Sequence, residues 1–246
     1  GEGRETTIID GNQNGSVVIA QNIEAFISGV TIQNGSIGLI PENQGEYCGG
    51  GIYIEGSDFT INNCIIKDNN IDGRGGGISS MWSDCTIKNS LIYNNSSSNY
   101  GSAFYAHDGI KTIENTIIIN NNGGTNAIFL ANGSGIISNS VIANNANEGI
   151  FLWSVDEFEI NNTKNRNNET IGVFIRESYG EVHNSIIFNN GSMEVEYSGE
   201  FGPSELLISY SDIEGGENGI ETNDNGTVPW GEGNIDSDPQ FVDADN

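Results

Sequence analysis

Six copies of one short phrase constrain this chain more than any other feature. The phrase reads Asn, a small residue, two aliphatics, then Asn-rich polar residues. It starts at Asn63 (NCIIKDNN), Asn89 (NSLIYNNS), Asn115 (NTIIINNN), Asn139 (NSVIANNA), Asn162 (NTKNRNNE) and Asn184 (NSIIFNNG). Degenerate relatives start at Gly29 and Tyr210. Successive copies lie 26, 26, 24, 23 and 22 residues apart. A repeat of that length, built of short strands without helix, specifies a solenoid coil.

Each repeat holds two further segments. One is Gly-apolar-x-apolar: GIYIEG at 51–56, GISSMW at 77–82, AIFLAN at 127–132, GIFLWS at 149–154 and GVFIRE at 172–177. The other alternates: FTIN at 59–62, CTIK at 85–88, KTIE at 111–114, FEIN at 158–161 and GEVH at 180–183. Its aliphatic sits two residues before the phrase. The residue opening the first segment usually sits eleven before it, as with Val18, Ile52, Ile78, Phe104, Ile128 and Val173. A coil therefore has three short strands of period 2. The expected fold is an all-β parallel β-helix solenoid of about nine to ten coils of 22–26 residues. One domain spans residues 1–246, with loop insertions near 35–50, 191–204 and 214–234.

The leading Asn has a physical reason. A bend between second and third strands needs a left-handed residue, which Asn and Gly adopt most readily. Asn63, Asn89, Asn115, Asn139, Asn162 and Asn184 are expected to stack in one bend. At a strand spacing of about 4.8 Å their amides can bond along the coil.

On these residues the chain resembles the right-handed parallel β-helix proteins, the superfamily that includes pectate lyases, over about Thr6 to Phe241. Gly49-Gly50-Gly51-Ile52 and Gly75-Gly76-Gly77-Ile78, the opening TTIIDGNQNGSVV and the closing NIDSDPQFVDADN look closest to secreted bacterial β-helix repeat proteins. The resemblance implies a right-handed solenoid and an extracellular or cell-surface setting.

Charge narrows the partners. A net charge of −26 argues against nucleic acid and anionic membranes, and no apolar run spans a bilayer. Three cysteines make no complete disulfide framework. Cys64 and Cys85 read as small buried hydrophobes, and Cys48 lies in a longer loop where it could react. No cofactor is expected. Ca²⁺ is possible at Asp236-Ser237-Asp238 or Asp243-Ala244-Asp245, although a solvated acidic surface explains these residues as well. The strand-like ends, without flanking helices, fit head-to-tail self-association or docking within a larger protein.

With Ile52 and Ile54 inward, the residue between them faces out. That stripe reads Tyr53, Ser79, Tyr105, Phe129, Phe151 and Phe174, and the next outward position reads Glu55, Met81, His107, Ala131, Trp153 and Arg176. Tyr53, Tyr105, Phe129, Phe151, Trp153 and Phe174 are thus the candidate ligand-binding residues. They could stack on sugar rings, meet another protein, or lie under a loop. Uronate lyases need a base and cations, and this chain has eight Lys and Arg. Lys164, Arg166 and Arg176 come from neighbouring coils, where Asn165 replaces the usual Ile, and are the catalytic candidates. No pectate-lyase arginine motif or polygalacturonase Gly-His-Gly motif is present, and His107 and His183 fall on different strands. The expected function is a non-catalytic extracellular module, structural or adhesive. A polysaccharide-binding or polysaccharide-degrading protein, lyase or glycoside hydrolase, is the alternative.

Overall fold

The computed structural model describes residues 3–36 and 49–241. Over them the chain winds into a parallel β-solenoid of about eight turns, slightly fewer than the repeat count suggests. The degenerate copies at either end supply partial coils, Ile8–Asp10 at one end and Ile220–Glu221 with Gly226–Thr227 at the other. First strands such as Ile52–Glu55, Ile78–Met81 and Phe104–His107 pair in parallel and in register. So do second strands such as Asp58–Asn62 and Asp84–Lys88, and third strands such as Ile65–Lys67 and Leu91–Tyr93. The Cys48 site falls outside the described residues, as does most of the insertion at 35–50.

The interior follows the alternation. Ile52, Ile78, Phe104, Ile128, Ile150 and Val173 form one fully buried column, and Ile66, Ile92, Ile118 and Ile142 another. Cys64 and Cys85 are buried free thiols, and burial pushes Cys85 up to about 12. The column of Phe59 and Cys85 continues into Lys111, which is also buried. Its ammonium donates to the carbonyls of Ser83 and Asp108. Ile150 lies twelve residues before its Asn rather than eleven. The cause is a bulge: Gly133 pairs with Val155 but Ser134 with Glu157, leaving Asp156 as an extra residue.

The repeated phrase resolves residue by residue. Asn63, Asn89, Asn115, Asn139, Asn162 and Asn184 all have φ between 49° and 51° and occupy one column at the second bend. They are exposed there. Among the described residues two amide contacts join this column to its surroundings: Asn89 to Asn62 at 2.8 Å and Asn115 to Asn89 at 3.4 Å. The following small residue is buried. Its hydroxyl accepts the amide N–H of the previous coil, as Thr116 does from Ser90 and Ser140 from Thr116.

The continuous amide ladder sits six residues beyond the leading Asn. Asn69, Asn95, Asn121, Asn145 and Asn168 each donate to the next, ending on Asn190, at 2.9–3.0 Å. Asn69, Asn95, Asn121 and Asn145 are fully buried. The ladder corrects the expectation that the phrase-initial Asn carries the amide stack: exposed amides exchange with water, whereas the buried set has only itself and the backbone.

The segment 191–204 is also not simply a loop. Met193–Tyr197 joins the first-strand sheet beside Ile171–Arg176. Within 214–234 lie a 3-10 turn at Gly216–Gly219 and the two last short strands.

Glu194 closes the ladder, accepting from the Asn190 side chain at 2.5 Å and backbone at 3.1 Å. Burial lifts its carboxyl from 4.5 to about 7, against these hydrogen bonds and helped by Glu214. Between those pH values the native chain holds the proton and the unfolded chain does not. The contribution is therefore full below about pH 4.5 and lost as pH rises through about 7. Burial likewise lifts Glu148 to about 7. Glu194→Gln is expected to remove roughly half of this pH dependence in urea unfolding between about pH 4 and 8. An unchanged slope would show that Glu194 titrates normally.

Candidate functional site

The outward position of the first strands is the place to look for a site, because period-2 alternation turns its side chains away from the solenoid core. The register is as read from the sequence: Tyr105 pairs with Ser79 and Phe129, and Phe129 with Phe151, which pairs with Phe174. The side chains nevertheless do not form an open ladder. Tyr53 is 5% exposed, Tyr105 2%, Phe129 2% and Phe151 6%. Tyr105, Phe129, Ala131 and Phe151 make a second hydrophobic cluster outside the main core, joined by Met81, Tyr100, Trp153 and Phe174.

Loop length explains the cover. The early coils are longest, and their extra residues follow the buried ladder Asn. Gly75 donates to the Tyr100 carbonyl, so Arg74 and Tyr100 occupy equivalent positions just before a left-handed glycine. From there they reach over the aromatic stripe. Tyr100 lies 4.6 Å from Phe129 and 6.2 Å from Phe151, between ring centroids. Later coils are shorter and lack this overhang. The step between long and short coils leaves a cavity of about 440 Å³.

Aromatic and polar groups line different parts of it. Tyr100, Tyr105, Phe129 and Trp153 supply rings, with Tyr105 stacked on Phe129 at 5.2 Å. Arg74, His107, Asn132 and Ser154 supply polar groups. Arg74 donates to the Tyr105 hydroxyl at 3.0 Å, and its guanidinium lies 5.3 Å from that ring and 5.7 Å from the Tyr100 ring. His107 Nδ1 lies 2.6 Å from Asp108 Oδ2. The Asn132 amide donates to Nε2 at 3.1 Å.

Three of the six sequence-derived ligand residues, Tyr105, Phe129 and Trp153, meet at this cavity. Phe151 is buried behind it, edge-on to Phe129 at 5.2 Å. Phe174 packs edge-on against Phe151 at 4.9 Å. Tyr53 lies outside the lining, next to Gly49. Arg74, Tyr100 and Asn132 escaped the sequence reading. The signal that could find the first two is their 26-residue spacing, each immediately before Gly.

The catalytic candidates do not converge. Lys164 and Arg166 lie on the third-strand sheet, over Phe241 at 5.7 and 4.8 Å. Arg176 lies on a first strand, between Trp153 at 4.0 Å and Phe201 at 3.2 Å. Asn165 points into the core, donating to the Gly172 carbonyl and accepting from Asn168. The broken phrase there is a hydrogen-bonded core substitution, not a surface feature. Among the described residues no group of three or more His, Cys, Asp or Glu could hold a metal ion. Asp236 instead accepts the Gly215 amide, and Asp243-Ala244-Asp245 lies outside the described residues.

A family model described as right handed beta helix region matches residues 79–235. Neither the curated proteins nor the solved structures compared with the chain give a match. No described helix is long and apolar enough to cross a membrane.

Proposed function

The chain belongs to the right-handed β-helix family, and from that premise we propose that it is a non-catalytic extracellular adhesive module that holds a carbohydrate in the aromatic cavity. The observation carrying this reading is a cavity of about 440 Å³ whose lining combines the aromatic side chains of Tyr100, Tyr105 and Trp153 with the polar groups of Arg74, His107 and Asn132. Sugar rings present apolar C–H faces and equatorial hydroxyls. Such a lining offers apolar contact to the first and hydrogen bonds to the second. The Trp153 ring is held by Arg176, whose guanidinium lies 4.0 Å from its centroid, so little side-chain freedom is lost on binding.

Two features favour binding over turnover. His107 has both ring nitrogens in contact with protein groups, Nδ1 with Asp108 and Nε2 with Asn132. The described lining contains no Asp or Glu to form an acid–base pair for glycoside cleavage. The test is affinity electrophoresis and calorimetry against neutral and acidic polysaccharides. Trp153→Ala is expected to weaken binding about tenfold or more, at a cost in affinity of about 1.4 kcal/mol. Binding indifferent to both Trp153→Ala and Tyr105→Ser would move the site elsewhere. Release of an unsaturated uronide that disappears in Arg176→Ala would overturn the non-catalytic reading.

A further inference from the structure

A second concavity lies on another face, along the outer side of the second strands, with a volume of about 670 Å³. Its residues play no part in the aromatic cavity. The strands here alternate, so inward Phe158, Val182 and Leu206 serve the core while their neighbours face out. The outward set is mixed in an unusual way. Ile110, Ile136, Tyr179 and Leu207 are among the large hydrophobic side chains most exposed to solvent, at 53%, 41%, 46% and 37%. Between them stand Glu157, Glu159, Glu181 and Glu205, all lining the same trough.

The carboxylates are placed against their own repulsion. Glu159 and Glu181 are direct register partners on adjacent parallel strands, flanked in the same column by Ile136 and Leu207. Side chains so paired are separated by about the strand spacing of 4.8 Å, and like charges there disfavour the sheet. No ion pair among the described residues includes any of the four carboxylates. Glu205 accepts only a hydroxyl hydrogen bond, from Thr227 at 3.1 Å. No Lys or Arg lines the trough. Unneutralised acids set between exposed apolar side chains are complementary to one kind of surface.

We infer that this trough is a docking surface for a polypeptide segment of another protein in which basic residues alternate with apolar ones. Lys or Arg heads would meet Glu157, Glu159, Glu181 and Glu205, and the intervening apolar side chains would cover Ile110, Ile136 and Leu207. An extended segment laid across the coils suits the site because its side chains can follow the outward columns, in which Glu159 and Glu181 stand between Ile136 and Leu207, and Glu157 and Glu205 on either side of Tyr179. A second copy of this chain does not, since its own net charge of −26 leaves few basic residues to offer. An anionic membrane is repelled by the same carboxylates. A small polyamine satisfies the charges but leaves the exposed apolar side chains in water.

The experiment uses the full chain and two fluorescent peptides of equal length and charge, one alternating Lys with Leu and one alternating Lys with Ser. Anisotropy titrations are run at physiological salt on the parent, on Glu159→Gln/Glu181→Gln, on Ile136→Ser/Leu207→Ser, and on the remote Glu24→Gln/Glu169→Gln. The Lys–Leu peptide is expected to bind saturably and about tenfold more tightly than the Lys–Ser peptide. Either groove pair should weaken it about tenfold, and the remote pair should leave it unchanged. Because the two groove pairs alter different chemistry, unfolding of one leaves the other as the test. Equal binding of both peptides would reduce the site to a nonspecific negative field and overturn the inference. So would equal weakening by the remote pair, or complete displacement by spermine or Ca²⁺ at matched charge.

Discussion

Replacing Asn121 by Ala is expected to destabilise the protein by about 3–5 kcal/mol. The Asn121 carboxamide oxygen accepts both the backbone N–H and the side-chain amide of Asn95, each at 3.0 Å. Its own amide donates to the carbonyls of Ile92 and Ile119 and to Asn145. Asn95, Asn121, Asn145 and Ile92 are fully buried. Alanine strands the Asn95 backbone N–H and one amide hydrogen where water cannot replace the lost acceptor, at about 1–3 kcal/mol each. Hydrogen bonds in series also polarise one another, so the neighbours weaken as well. The contrast is Asn115→Gly, six residues away on an exposed left-handed corner. Glycine adopts that φ without strain, and the change should stay within about 0.5 kcal/mol. Urea midpoints of the two variants measured together decide it. Comparable shifts would mean that the buried stack does not carry the stability assigned to it.

Phe129→Ala is expected to cost about 3–5 kcal/mol as well, although the residue points away from the main core. Its ring is covered by Tyr100, stacked on Tyr105 and edge-on to Phe151 and Trp153. Truncation removes the centre of this second cluster and leaves a void under Tyr100. Because the cover comes from corner loops, part of the loss should appear as local opening rather than global unfolding. Hydrogen exchange around Tyr100–Gly101 should therefore rise more than around the inward Ile118. Phe129→Leu, which keeps most of the volume, should recover more than half of the loss. Unchanged stability and exchange in Phe129→Ala would show that the cover does not pack on the stripe. Loss of sugar binding in Phe129→Ala is expected too, but Trp153→Ala is the cleaner probe because Trp153 is only partly buried.

The build of a single coil follows from local rules along the chain. Three alternating strands, the inward Ile columns, the left-handed Asn at the second bend and the small residue after it all rest on interactions spanning a few residues. Steric limits on φ, the two-residue strand period and a buried aliphatic are local rules, and each is repeated often enough to be read. The twelve-residue spacing at Ile150 is an exception to the eleven-residue rule, and the bulge at Asp156 is its cause.

Tertiary structure decided what the local rules leave equal. Each phrase holds several Asn residues of the same chemistry, and only burial separates the exposed column from Asn69, Asn95, Asn121, Asn145 and Asn168. The outward aromatics obey the alternation, yet alternation gives direction and not exposure. Their cover depends on Tyr100 and Arg74, which reach them only because a full coil returns the chain to the same face about 26 residues later. Likewise Glu159 and Glu181 stand far apart in sequence and become neighbours by stacking. A parallel solenoid makes its side-chain contacts between coils. The alphabet of one coil is therefore legible along the chain, while its cavities and charge pairs arise from the difference between one coil and the next.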